Sequence, residues 1–452
     1  MKKAVLAAAV AAAAAAGLIV AVVVSSGDSE SSTPPGTSSG AVPPPPVTSG
    51  PTSTGGTTSR RPRTTTTTQS PTARVDTSRL RLPPAPGPAS PRRRTFLVGV
   101  VDDALAQQDP HFAQAQADLS RDAGFNAAAV SATWQKGQRR PSTALVRVLR
   151  NVAAATRKAQ MRLFVVIWHG LGQNTPTGAA ERADFAAYAA AVVKALPALD
   201  AAIVGNEPNL STFWRPQFGG RGNDLAARAY ADLLARSYDA IKAVKPSVHV
   251  LGGAVSPRGA DRPGGSRPTH SPTAFIRDLG TAYRRSGRKR PLMDAFAIHP
   301  YMQASNVSPT AAHPKNTSIT LADYPKLAAL LEEAFGGTAQ AGERLPVYYT
   351  EFGVQTAVPR PKLRFYVDRD SPARTDSVGF AVQAAYYRRA LALAYCQPTV
   401  RGLFVFHTFD EPGLGGWQSG LYFADRTPKP SLAGFKRAVS DLRNDKLTRC
   451  SR

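Results

Sequence analysis

The chain has 452 residues and a formal net charge of +25. Its first 94 residues contain 11 Lys or Arg and 3 Asp or Glu, so they carry +8 and the remaining residues carry +17. A basic surface attracts nucleic acid, acidic glycans or wall phosphates. However, Arg is spread widely along the chain, as solvated side chains are, and no nucleic-acid recognition module is visible, so we expect no specific nucleic-acid partner.

The N-terminus has the pattern of an export signal. Two lysines after Met1 are followed by 21 uncharged, almost wholly apolar residues, from Ala4 to Val24. Small residues at positions 25–27 offer a cleavage site, but 21 residues at the rise of a helix also suffice to span a bilayer. We expect a secreted or extracellular protein, and the sequence leaves open whether residues 4–24 are removed or anchor the chain to the membrane.

The next segment, residues 25–94, consists mostly of Pro, Thr, Ser and Gly with almost no large apolar side chains. Such a composition cannot bury enough surface to offset the entropy of ordering. We predict a disordered linker that holds the following domain away from a membrane or extends through a cell wall.

From residue 95 onward, short apolar runs alternate with longer amphipathic segments. The candidate strands are Phe96–Val101, Ala127–Thr133, Leu163–Trp168, Ala201–Gly205, Val248–Val255, Ala295–Ile298, Val347–Thr350 and Gly402–Phe406. The candidate helices are Phe112–Ala123, Thr143–Ala159, Ala179–Leu196, Leu225–Val244, Thr273–Tyr283, Leu321–Phe335, Val378–Tyr395 and Leu432–Leu442.

Eight apolar strands, each followed by a helix, predict an α/β fold, a (β/α)8 TIM barrel over residues 95–452. An open, doubly wound parallel sheet is the alternative. It is disfavoured because no Gly-x-Gly-x-x-Gly turn follows the first strand and no Walker loop is present.

The two cysteines, Cys396 and Cys450, fit an exported protein with at most one disulfide. A bond between them would tie the C-terminal tail to the segment before the last strand. The alternative is a buried thiol together with an unpaired thiol in the tail.

Two of the predicted strands end in a glutamate. Glu207 follows the fourth strand within Asn-Glu-Pro, and Glu351 follows the seventh. Catalytic residues of such barrels lie at the carboxyl ends of the strands, and strands four and seven are roughly opposite each other. Glycoside hydrolysis needs a pair of carboxyl groups, one to protonate the leaving oxygen and one to attack or to activate water.

These features resemble the retaining glycoside hydrolases of clan A, the cellulase-like family 5 and the xylosidase-like family 39, over residues 95–440. The resemblance implies that Glu207 is the general acid/base and Glu351 the nucleophile. It implies further that Asn206 hydrogen-bonds the sugar 2-hydroxyl. His299 and Tyr301 match the His-x-Tyr of strand six, which places the tyrosine oxygen near the nucleophile.

The remaining candidates for sugar binding come from other strand ends. His169 matches the histidine that ends strand three in family 5. His407 stands where an aromatic platform is expected after strand eight, and Trp417, ten residues on, is the residue that can replace it. Trp134 and Trp214 are further candidates for stacking on a sugar face; core packing is the alternative for each tryptophan.

Two departures from the resemblance concern the support of the reacting groups. Family 5 carries an arginine near the end of strand two, and residues 129–134 contain none. The rival carboxylates are better interpreted as helix caps or ligands of sugar hydroxyls than as reacting groups: Asp102, Asp103, Asp410 and Glu411. Seven scattered histidines without a His-Glu-x-x-His motif predict no metal, and we expect no cofactor.

The expected partner is therefore a β-linked glycan. Cationic residues in the loops after strands five and seven add the hypothesis that the glycan is anionic or phosphate-decorated, because arginine suits carboxylate and phosphate: Arg258, Arg262, Arg267, Arg360, Lys362, Arg364, Arg369 and Arg374. A polymer of the cell envelope or wall is a second expected partner, and we expect a monomer. The alternative function is a noncatalytic glycan-binding or wall-associated barrel.

Overall fold

The computed structural model describes residues 96–340, 345–371, 374–447 and 450. The predicted export signal or anchor and the predicted linker lie outside these residues. The described part forms a closed barrel of eight parallel strands in sequence order, with β1 paired to both β2 and β8. The predicted TIM barrel is confirmed.

The strands and helices alternate along the chain as expected. The strands are β1 Leu97–Val101, β2 Ala127–Thr133, β3 Arg162–Trp168, β4 Ala201–Val204, β5 His249–Val255, β6 Ala295–Ile298, β7 Val347–Phe352 and β8 Val400–Phe406. The helices are α1 Pro110–Ala123, α2 Thr143–Lys158, α3 Ala179–Ala195, α4 Ala226–Val244, α5 Pro272–Arg285, α6 Tyr324–Phe335, α7 Phe380–Cys396 and α8 Ser431–Arg443.

The strands are apolar along their length because both of their faces are buried. Alternate side chains fill the barrel interior, where large rings lie beside small residues. Phe404 occupies the space beside Gly99, at which a Cβ atom would lie 2.4 Å from the phenylalanine ring. The outward side chains pack against the helices in a second, larger cluster.

Two boundaries differ from the predicted ones. β7 continues to Phe352, so Glu351 belongs to the strand itself instead of following it. The predicted helix Leu321–Phe335 divides into a short 3-10 turn, Leu321–Asp323, and α6. Pro325 in the first turn of α6 explains the division, since proline has no N–H to donate and is tolerated at the start of a helix.

A bulge in β5 shapes the region behind the cleft. The pairing of β5 with β6 shifts register between Gly253 and Val255, and Gly253 and Ala254 have φ angles of 94° and 46°. The bulge leaves the carbonyl of Ala254 free to accept a hydrogen bond from the backbone N–H of Glu207, at 2.8 Å. An irregularity in one strand therefore helps to place the residue that follows the neighbouring strand.

The two cysteines form a disulfide that joins the last residue of α7 to the tail after α8. Among the described residues, no helix is both long enough and apolar enough to cross a membrane.

Candidate active site

A cleft opens at the carboxyl ends of the strands, and residues from all eight strand ends contribute to its wall. Six of the predicted site residues line it: Asn206, Glu207, Tyr301, Glu351, His407 and Trp417. His299, which is 2 % exposed, lies beside them and contacts both predicted catalytic glutamates.

Glu207 is presented to the cleft by a left-handed turn directly after β4. Gly205 and Glu207 have φ angles of 85° and 38°. A non-glycine residue in this region costs of the order of 1–3 kcal/mol and needs support from its surroundings. Part of that support comes from Asn209, whose side-chain oxygen accepts the N–H of Ser256 at 2.9 Å. The loop that carries Glu207 is thus fixed to the loop after β5.

Glu207 and Glu351 meet at one imidazole nitrogen. Nδ1 of His299 lies 3.1 Å from Oε1 of Glu207 and 3.5 Å from Oε2 of Glu351. These two oxygens are therefore at most 6.6 Å apart, the sum of the two distances. The hydroxyl of Tyr301 donates to the same oxygen of Glu351, at 3.1 Å. Strands β4, β6 and β7 thus bring together the four residues predicted to form the catalytic group.

Burial and neighbouring charges perturb this group. Burial raises the pKa of Glu351 to about 7; Glu207 and Asp103 push the pKa the same way, while His299 and Tyr301 oppose them. Burial would lower the pKa of His299, but the charges of Glu351 and Glu207 outweigh burial and raise that pKa. A buried group of this kind holds a proton near neutral pH beside an ionised neighbour, as acid–base catalysis requires.

An aromatic surface lies beside Glu351. The ring of Trp417 is 5.0 Å from that of Tyr301 and 5.4 Å from that of Phe406, measured between centroids. Its backbone N–H donates to the carboxylate of Glu411, at 2.9 Å. A partly exposed indole held in this way offers a flat apolar face to the C–H face of a sugar ring.

His407 lies on the same side of the cleft. Its ring stacks on Phe406 with centroids 3.8 Å apart, and its φ angle is 96°. Burial lowers its pKa against the opposing charges of Glu411 and Asp103. A neutral imidazole can donate to one sugar hydroxyl and accept from another. Asp103 accepts the backbone N–H of Ser131 at 2.6 Å and also lines the cleft.

Asn206 lines the cleft immediately before Glu207. This position is compatible with a contact to a sugar hydroxyl next to the scissile bond, and the contact itself remains a prediction.

Two predicted substrate-binding residues lie away from the cleft. Trp134 is 0 % exposed; its Nε1 donates to the carbonyl of Gln138 at 2.7 Å, and its ring packs edge-on against Phe185. It has no open face for a sugar, which supports the packing alternative. Trp214, 1 % exposed, is likewise in the core.

His169 is also buried behind the cleft wall. Its Nε2 lies 2.6 Å from the carbonyl oxygen of Phe213, and burial lowers its pKa to about 4. Because Phe213 does line the cleft, His169 acts on the site by holding that residue in place, without reaching the cleft itself.

Two of the rival carboxylates have structural partners. Asp102 caps a 3-10 turn through the N–H of Ala104 and also accepts the N–H of Thr408. Asp410 forms a fully buried ion pair with Lys429, at 2.7 Å. The other two rivals, Asp103 and Glu411, line the cleft.

Several residues of the cleft wall were not predicted. Trp168, the last residue of β3, lines the cleft with its ring 6.1 Å from that of Phe213. Of the eight cationic residues in the loops after β5 and β7, Arg258 and Arg374 line the cleft. Asp376 joins them and binds Arg374 at 3.0 and 3.1 Å. Trp168 could have been found from its strand-end position; the loop residues carry no periodic signal.

No group of three or more His, Cys, Asp or Glu in the described ranges is arranged to hold a metal ion.

No family model and no curated protein matches the sequence. Solved structures do match in fold. GH5_18 from Streptomyces cattleya in complex with GlcNAc is 18 % identical, with a TM-score of 0.51 over 79 % of this chain and 82 % of that chain. A single-residue variant of it in complex with Manβ1-4GlcNAc is 17 % identical, with a TM-score of 0.50 over the same shares. A GH39 β-xylosidase from Caulobacter crescentus is 19 % identical, with a TM-score of 0.48 over 78 % of this chain and 72 % of that chain. At these identities the similarity supports the barrel fold.

Proposed function

We propose that this protein is a retaining glycoside hydrolase that acts on a β-linked oligo- or polysaccharide. The observation that carries the proposal is the contact of both carboxylates with Nδ1 of His299, which limits their separation to 6.6 Å. Retaining enzymes place their two carboxyl groups about 5–5.5 Å apart, whereas inverting enzymes need about 6.5–9.5 Å to admit a water molecule. Almost all of the inverting range is therefore excluded.

In the first step, Glu351 attacks the anomeric carbon while Glu207 gives its proton to the glycosidic oxygen. The bond from the anomeric carbon to that oxygen breaks, its electron pair leaves with the aglycone, and an ester forms with Glu351. In the second step, Glu207 takes a proton from water, the water oxygen attacks the anomeric carbon, and Glu351 leaves as a carboxylate. The hydrogen bond from Tyr301 orients the attacking oxygen and stabilises its ionised form.

The ligands of the similar structures are consistent with this proposal. The Streptomyces cattleya GH5_18 structures hold GlcNAc and a β1-4-linked disaccharide. In this chain the indole of Trp417, together with Asp103, His407 and Glu411 on the same side of the cleft, supplies the apolar face and the hydroxyl ligands that a sugar requires.

The test is hydrolysis of a panel of aryl β-glycosides by the purified protein, with Glu351→Gln and Glu207→Gln alongside. We expect Glu351→Gln to lose at least about 10³-fold in kcat/KM, equivalent to about 4 kcal/mol of transition-state stabilisation. Glu207→Gln should lose about as much on a poor leaving group but about tenfold or less on a dinitrophenyl glycoside, whose oxygen leaves without a proton.

Azide gives a second readout that tells the roles apart. A small nucleophile in the place of Glu351 should yield the α-glycosyl azide, and in the place of Glu207 the β-glycosyl azide, because azide enters from the side of the missing carboxylate. Glu411→Gln removes a cleft carboxylate remote from the proposed reaction and should give no azide product. Glycan binding without turnover of any glycoside would favour the noncatalytic barrel instead.

A further inference from the structure

The loop that follows β5 brings an unneutralised cation into the cleft. Arg258 is partly buried, and its Nη1 donates to the backbone carbonyl of Tyr301 at 3.1 Å. It forms no ion pair with any carboxylate in the part of the chain that the structure describes. Burial lowers the pKa of this guanidinium and the charge of Glu207 opposes the shift, so the two groups are close. By contrast, Arg374, the other cleft arginine, is paired with Asp376.

The charges of the cleft wall are divided between its two sides. Glu207 on β4 and Glu351 on β7 separate the barrel mouth into an arc over β5 and β6 and an arc over β8, β1, β2 and β3. The longer arc carries the carboxylates of Asp103 and Glu411, whereas the shorter arc carries Arg258. The two arcs are therefore suited to different chemical groups.

The aromatic surface indicates which arc receives which sugar. The ring of Trp417 packs on that of Tyr301, whose hydroxyl holds Glu351. The sugar that is attacked by Glu351 therefore lies over Trp417, on the β8 side, where carboxylates can accept its hydroxyl groups. The leaving group must then extend past Glu207 toward β5, because the acid has to reach the oxygen that joins the two sugars.

We propose that Arg258 forms a leaving-group subsite for an anionic residue, a carboxylate- or phosphate-bearing sugar, while the attacked sugar is neutral. The proposal rests on the retaining hydrolase function proposed above and names its substrate class. The guanidinium has one printed contact through Nη1, so its remaining N–H groups can form the parallel pair of hydrogen bonds that both anions accept. Such charge-assisted bonds at a partly buried site discriminate about tenfold or more against a neutral group.

The test uses three β-glycosides of the sugar that the panel selects, with phenyl, carboxyphenyl and phosphonophenyl leaving groups. The measured quantity is the ratio of kcat/KM for each anionic glycoside to kcat/KM for the phenyl glycoside, in wild type and in Arg258→Gln. Differences in the acidity of the phenols enter both proteins alike and cancel when the ratios are compared. Arg262→Gln is the matched control, since Arg262 lies exposed in the same loop and does not line the cleft.

We expect the ratio to fall at least about tenfold in Arg258→Gln and to stay unchanged in Arg262→Gln. Arg258→Lys should retain part of the preference, because it keeps the charge and loses the fork. The larger ratio of the two anionic glycosides identifies carboxylate or phosphate as the preferred group. An equal loss on all three glycosides would overturn the subsite and show that Arg258 only holds the carbonyl of Tyr301.

A failure of the proposed function would be recognised separately. If wild type hydrolyses none of the glycosides, calorimetric titration with the same three compounds replaces the rate measurement. Tighter binding of the anionic compounds that is lost in Arg258→Gln would support the subsite in a barrel without turnover. Equal binding of the three compounds, or no binding, would overturn it.

Discussion

Glu351 keeps its carboxyl group in a position that disfavours its charge. Its folded-state pKa is about 7, raised from an ordinary value of 4.5 chiefly by burial. In the unfolded chain the group ionises near the ordinary value, so between these two pH values the unfolded state releases a proton that the folded state retains. The stability that this proton contributes is complete below pH 4.5 and is lost as the pH rises to about 7.

We therefore predict that Glu351→Gln is more stable than wild type at pH 8, by about 2–3 kcal/mol, and that the difference disappears near pH 4. The glutamine keeps the shape of the side chain and can still accept the hydrogen bond from Tyr301. Urea unfolding at both pH values measures the difference. Glu333→Gln, on the exposed side of α6, controls for the removal of a surface carboxylate, and a difference that is equal at the two pH values would contradict the prediction.

At the residue scale, the sequence predicts those parts of the site that lie at strand ends. Glu207, His299 and Glu351 follow from the position of polar residues after apolar runs. What a strand end does not reveal is the side from which a residue projects, since successive side chains point to opposite faces. Trp168 consequently faces the cleft, and His169, one residue later, lies behind it.

Loop residues escape prediction for a different reason. The path of a loop depends on contacts that are distant in sequence, such as the bond from Asp376 to the backbone N–H of Ser305, at 3.0 Å. Arg258 and Arg262 lie four residues apart in one loop, yet only the first lines the cleft. Composition can place both on the catalytic face, and only the folded loop separates them.

At the scale of elements, the strands were predicted closely because a parallel barrel buries both faces of each strand, which leaves continuous apolar runs. The bulge of β5 was not visible in that pattern. Gly252 and Gly253 stand side by side there, and either could have been read as a packing glycine. The structure shows that Gly253 needs its left-handed conformation, whereas Gly252 makes room for Leu234.

We predict that Gly253→Ala destabilises the protein by about 2–4 kcal/mol and also reduces activity. A Cβ atom at this position would lie 2.6 Å from the carbonyl oxygen of Ala297, and the φ angle of 94° is strained for any other residue. Relief of the clash moves Ala254 and with it the backbone N–H of Glu207.

Thermal unfolding and kcat/KM on the best aryl glycoside measure the two effects of Gly253→Ala. Gly264→Ala is the matched control in the next loop, because nothing lies within 4 Å of its added methyl group. Unchanged activity in a destabilised Gly253→Ala protein would show that the bulge does not position Glu207.

For the whole molecule, the disulfide between Cys396 and Cys450 encloses β8 and α8 within a loop of 54 residues. We predict that the double variant Cys396→Ser/Cys450→Ser loses about 2–4 kcal/mol of stability, because an open loop of this length increases the entropy of the unfolded chain. Activity at 25 °C should persist, since the end of α7 lies before the start of β8, at the mouth opposite the cleft.

Wild type unfolded in the presence of a reductant should match the double variant, and that comparison separates the bond from the cost of the serine substitutions. A stable reduced protein would show that the packing of α7 against α8 alone secures the tail.

The pairing of β1 with β8 closes the barrel by joining residues such as Leu97 and Gly402, which are 305 positions apart. The first strand therefore acquires its second neighbour only when the last strand is in place. Until then both strands present unpaired N–H and C=O groups along an edge, the kind of surface that recruits strands from other chains. Although the entropy of closing so long a loop grows only with the logarithm of its length, contacts this distant in sequence slow the search. Refolding should accordingly be slow and increasingly lost to aggregation as protein concentration rises.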